Sequence, residues 1–217
     1  MPSAAPHVHC DPEPDPPGTQ YRAQSRSLTS QLVAIGACRE ALRWVNNRGI
    51  TTLQEAWEQC QRADWLVWLA ARVGVPETTL VLLLTLLARP VVPQILPGHK
   101  RLLECLALAE AWARGEVPSD KLREQAEELE ALRELVGFEP AEEALLGVLD
   151  LALLATEDPI DLPRFASCAS DIAIYAVDAS PDFRDRPTDL RALCGVVREH
   201  LQWSDLAAAL KVQEARL

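Results

Sequence analysis

The chain has 217 residues, 48% of them hydrophobic, with 21 Lys and Arg against 32 Asp and Glu and a formal net charge of −11 at pH 7. That length and apolar content can bury a full core and fit one domain better than two. The acidic balance argues against a nucleic-acid binder, since no basic stripe is available to displace counterions from phosphates, and suits a soluble protein with a basic partner.

Residues 1–27 carry Pro2, Pro6, Pro12, Pro14, Pro16 and Pro17 among scattered acids. With neither a basic start nor an apolar h-region they spell no signal peptide, and they read as a disordered tail ahead of a single all-α domain over 28–217. His7, His9, Cys10 and Asp11 are chemically able to hold a transition metal. A closed zinc site draws ligands from structured elements at defined separations, and no second ligand pair follows later in the chain, so no metal is expected.

Beyond the tail the pattern is helical almost throughout. A first helix is predicted over 30–47, with Leu32, Ile35, Leu42 and Val45 on one side and Gly49 in the left-handed terminating position. Thr51 or Thr52 caps the next, which carries Leu53, Ala56, Trp57 and Cys60 at three- and four-residue steps. A helix over 64–73 holds Trp65 and Trp68 and is closed by Gly74, and Pro76 opens the following one. The run 80–87 is apolar on all faces, which marks the most central helix, and at its length it is far too short to span a bilayer.

Pro90, Pro93 and Pro97 end that helix. Further helices are predicted over 100–114, 120–136 (capped by Ser119), 140–156 (started by Pro140), 164–179, 188–202 and 204–216. The result is an irregular multi-helix bundle or solenoid-like array of about ten helices. The tripeptide Glu-Ala-Trp occurs at 55–57 and at 110–112, but no fixed period makes this a repeat protein. The six tryptophans, at helical spacing in apolar surroundings, read as core anchors, with Arg39, Asp64 and Arg72 as buried polar partners of the indoles.

Five of the six cysteines, Cys38, Cys60, Cys105, Cys168 and Cys194, sit far apart in helical patterns and read as reduced core residues. Cys168 or Cys194 with His200 is the one nucleophile–base pairing to weigh, and no sequence signature accompanies it. Asp171 and Asp178 lie seven apart, with Arg164 seven before, and read as a solvated face with an internal ion pair. No acid, base, nucleophile or metal set comes together, so no enzyme and no cofactor are expected.

The strongest charge feature is the span 120–143, which sets Glu124, Glu127, Glu128, Glu130, Glu134, Glu139, Glu142 and Glu143 against Lys121, Arg123 and Arg133. Leu122, Leu129 and Val136 recur every seven residues, so this helix is predicted to dock one side and present its acids to water. Arg123 with Glu127 and Glu130 with Arg133 form ordinary helix-surface pairs. Glu124, Glu127, Glu128, Glu134 and Glu142 are the candidate partner-binding residues, since an acidic helical face can steer a basic protein to fast association.

Ala37-Cys38-Arg39-Glu40-Ala41-Leu42 followed by Trp44, Asp64-Trp65-Leu66 with Trp68-Leu69, Ala109-Glu110-Ala111-Trp112, and Val197-Arg198-Glu199-His200 with Trp203 occur in this order. In that arrangement the chain resembles the Imm-5-like family of bacterial immunity proteins, best over 31–115 and 188–212. The resemblance implies an α-helical protein encoded beside a toxin and neutralising it by direct, non-catalytic binding, and it carries no catalytic residues. A soluble, cytoplasmic location is expected instead from the lack of a signal peptide and of a bilayer-spanning stretch. Over 120–156 the chain departs from the family pattern, being rich in Leu and Glu instead of Ala and Asp, which implies a different partner if that region is the binding face. The competing reading is a helical scaffold or adaptor that binds a peptide or a second copy of itself through an apolar groove.

Overall fold

The computed structural model describes residues 27–90, 100–133, 139–179 and 186–214. Eleven helices and no strand occur among them. The Pro-rich tail with His7, His9, Cys10 and Asp11, the segment with Pro93 and Pro97, and Glu134 and Val136 lie outside the described residues. The chain forms two compact units that divide between Gln59 and Cys60.

The first unit holds α1 (Leu28–Ala34), α2 (Arg39–Arg48) and α3 (Leu53–Gln59). The single helix expected over 30–47 is two. Gly36 adopts φ 84°, its N–H donates to Val33 O at 2.9 Å, and Ala37 N–H reaches back to Leu32 O at 2.9 Å. That pair of bonds is a Schellman stop, which a residue without Cβ closes at least cost. The apolar spacing continues across it because Leu32, Ile35, Leu42 and Val45 serve one core from two helices, joined by Leu28, Ile50 and Ala56. Gly49, Gly74 and Gly115 close the same motif after α2, α4 and α6. At the start of α3 the Glu55 carboxylate accepts from Thr51 N–H at 2.8 Å, while Thr52 Oγ1 accepts from Glu55 N–H at 3.1 Å. This local cap is reflected in a lowered Glu55 pKa, caused first by the Thr51 backbone bond.

The second unit contains α4 (Ala63–Arg72), α5 (Glu77–Ala88), α6 (Lys100–Ala113), α7 (Ser119–Arg133), α8 (Pro140–Leu154), α9 (Leu162–Asp178), α10 (Arg186–His200) and α11 (Trp203–Glu214). As its all-round apolarity predicts, α5 is central: it packs against α4, α6, α8, α9 and α10. Its one buried hydroxyl, Thr85, donates to Val81 O at 2.8 Å and so leaves no polar group unsatisfied.

Small residues draw α8 and α9 together. Ala141 and Ala144 near the start of α8 meet Ala176 and Ala179 at the end of α9, while Gly147 meets Ile172 further along, so the two run antiparallel. From this pair α9 extends the packing to α4, and α4 to α10; α8 extends it to α6, and α7 lies across α6 and α8.

Of the tryptophans, Trp57 alone is fully buried, at 2% exposure; Trp44, Trp65, Trp68, Trp112 and Trp203 are half-buried. The expectation that all are core anchors is corrected, because an indole carries a polar N–H and a π face that a wet core edge serves better. Trp112 Nε1 donates to Ser119 Oγ at 3.2 Å, Arg62 lies 4.8 Å above the Trp65 ring, and Arg48 lies 5.9 Å from that of Trp44. The two Glu-Ala-Trp tripeptides do different work: Glu55 caps α3, whereas Glu110 joins Arg89 at 2.7 Å to Arg114 at 2.6 Å.

No helix among the described residues is long and apolar enough to cross a membrane.

Candidate functional site

The acid-rich helix docks as its spacing predicts. On α7, Leu122 is buried and Gln125 and Ala126 are half-buried, which turns Asp120, Lys121, Arg123, Glu124, Glu127 and Glu128 outward. At 100° per residue Asp120, Glu124 and Glu127 occupy the middle of the exposed arc, with Lys121 and Arg123 on opposite flanks. Each flanking base closes on a central acid: Lys121 Nζ lies 2.6 Å from Glu124 and Arg123 Nη1 lies 2.6 Å from Asp120. The Lys121 pair raises the lysine pKa and lowers that of Glu124, first through their hydrogen bond. Arg123 thus pairs with Asp120 and not, as expected, with Glu127. The side chains of Glu130 and Arg133 lie outside the described residues.

Glu142 does not belong to this face. It stands on α8, 2% exposed, and its carboxylate accepts from Glu139 N–H at 2.9 Å as the N3 partner of a capping box. A charge in that role is committed to the orphan amide at the helix start and is covered by the fold. Of the five candidate residues, Glu124, Glu127 and Glu128 therefore share one exposed surface, Glu142 is buried elsewhere, and Glu134 is not described.

A second constellation lies inside the second unit, where the segment before α4 meets α10. Asp64, at 2% exposure, receives Arg62 Nε at 2.9 Å and Nη2 at 2.6 Å, a bidentate pair whose guanidinium also covers the Trp65 ring. From α10, Arg198 donates through Nη2 to the carbonyl of Cys60. The Cys60 thiol donates to Arg62 O at 3.4 Å. Asp64 was expected to serve an indole; the Trp65 ring instead stacks on the arginine that neutralises Asp64.

Two thiols complete this cluster. Burial pushes Cys60 up to about 11, with Asp64 adding to the rise and Arg198 and Arg62 opposing it. Burial likewise pushes Cys194 up to about 12, with Cys60 the next cause. Both are protonated near neutral pH and are poor nucleophiles as they stand.

The other candidates are dispersed. Cys168 donates to Gly147 O at 3.6 Å, and His200 Nδ1 engages Val196 O of its own helix at 3.0 Å. Arg164 lies 3.8 Å from Glu157. Asp171 is exposed and Asp178 half-buried. Arg39 is exposed, whereas the Arg72 Nε is buried without a hydrogen-bond partner among the described residues. Burial lowers the Arg72 pKa, and the Asp161 carboxylate opposes that shift.

Comparison with models of protein families, with curated proteins and with solved structures finds no match to this chain.

Proposed function

We propose that the chain is a non-enzymatic immunity protein of the cytoplasm that neutralises a basic protein toxin by direct binding through α7. The exposure of Glu124, Glu127 and Glu128 along one helix, opposite a buried Leu122, is the observation that carries this reading. With Asp120, Lys121 and Arg123 the described part of the face holds four acids and two bases, enough to steer a cationic partner without a catalytic group. The ordered packing motifs that resemble the Imm-5-like family add support, since one of them, Ala109-Glu110-Ala111-Trp112, lies on α6, which packs against α7.

The test uses the polypeptide encoded beside this gene. Co-expression of the chain restores growth to cells producing that polypeptide, and the purified pair associates more weakly as salt rises. The triple variant E124K/E127K/E128K weakens association at least tenfold at low salt while its helical circular dichroism is retained. Unchanged affinity in that variant removes α7 as the binding face, and absence of any growth rescue removes the immunity reading itself.

A further inference from the structure

Cys60 and Cys194 are far apart in sequence, yet the fold brings them to one place. Arg198 on α10 bonds the carbonyl of Cys60, which fixes residue 60 against that helix. Cys194 precedes Arg198 by one helical turn and lies on the same face. Helical side chains lean toward the N-terminus, so the long Arg198 side chain that bonds the Cys60 carbonyl extends over the level of Cys194, and Cys60 is near enough to weigh on the Cys194 thiol. Both thiols are covered, at 4% and 1% exposure, and each is free.

We infer that Cys60 and Cys194 are a redox pair that closes into an intramolecular disulfide, tying the segment that leads into α4 to α10. The oxidant is a small peroxide. The Cys60 thiolate, which two guanidinium groups favour, attacks one peroxide oxygen; the O–O bond breaks, giving a sulfenic acid on Cys60 and hydroxide. Cys194 sulfur then attacks the Cys60 sulfur, the S–O bond breaks, and hydroxide leaves. With hydrogen peroxide, the two thiols lose two electrons and two protons, and the peroxide is reduced to two waters. Burial keeps both groups mainly as thiols, so closure is slow, and the same cover shields the product from reductant. The pair acts as a lock under sustained oxidation and not as a fast sensor.

The experiment treats the full-length chain with hydrogen peroxide under native conditions, alkylates remaining thiols in denaturant and maps the unreduced peptides by mass spectrometry. The expected result is a dithiothreitol-reversible peptide pair joining residues 60 and 194, with helical circular dichroism retained and a melting temperature raised by roughly 5 °C or more. Recovery of both residues as alkylated thiols overturns the inference. Their crosslinking to Cys10, Cys38, Cys105 or Cys168, or formation of the 60–194 pair only with loss of helicity, overturns it equally. The wild-type chain carries this readout, so it does not depend on whether Cys60→Ser or Cys194→Ser folds.

Discussion

Gly147 on α8 and Ile172 on α9 approach so closely that a methyl group on Gly147 would lie 2.7 Å from Ile172 Cγ1. That atom sits next to the branch point of a stiff side chain and cannot swing aside cheaply. Gly147→Ala gains about 1 kcal/mol of helix propensity but forces α8 from α9, and we expect a net loss of about 1–2 kcal/mol in denaturant unfolding. The double variant with Ile172→Ala should lose less than the sum of the single changes. Strict additivity would show that the two residues do not set the spacing.

Asp64 is covered and Arg62 is its bidentate partner, so Asp64→Ala strands a guanidinium over an indole. The expected cost is about 2–3 kcal/mol, below that of a fully buried pair because Arg62 keeps access to water. Near-ultraviolet circular dichroism of the tryptophans should change with it, because Arg62 loses the anchor that holds it over Trp65. A variant as stable as the parent would mean that the pair merely offsets its own desolvation.

Alkaline stability follows from the thiols. Cys60 is held at about 11 in the fold against an ordinary 9.0, so the unfolded chain releases a proton that the folded chain keeps. Its contribution is fully present below pH 9 and is lost as the pH climbs towards 11, at up to about 1.4 kcal/mol per unit. In reducing buffer, Cys60→Ser should flatten the fall in unfolding free energy between pH 8.5 and 10.5. An identical slope in both proteins would place the loss on other groups.

Glu142 and Glu127 separate folding from recognition. Glu142→Ala removes the acceptor at the start of α8 and should cost about 1–2 kcal/mol of stability while leaving partner affinity unchanged. Glu127→Lys should do the reverse, shifting the melting temperature little and weakening the complex in a salt-dependent way. If Glu142→Ala weakened binding without destabilising the fold, the assignment of the two roles would fail.

Residues that act within one helix were readable from sequence. The all-round apolar run of α5 marked the centre of the bundle, Gly49 marked a helix end, and Leu122 marked the docked side of α7. Reading failed where the partner lay on another element or where two local rules competed. The apolar spacing over Leu32, Ile35, Leu42 and Val45 concealed the stop at Gly36, since one core can collect a stripe from two helices. Glu142 resembled its acidic neighbours, yet the start of α8 needed an acceptor there. Spacing identified apolar faces without saying how wet their margins are, so five half-buried indoles read as core. Cys60, Cys194 and Arg198 meet only through the packing of α10 on the start of α4, a contact that no local pattern records.

The chief partner of α4 is α9, which the chain specifies only from residue 162 onward. On a ribosome adding about 5–20 residues per second, α4 therefore waits roughly 5–20 s with Leu66, Val67 and Ala70 bare before its cover is made. Synthesis order leaves α4 without its main partner for longer than α5 waits for α8 or α6 for α8, so α4 is where a nascent-chain holdase would be needed.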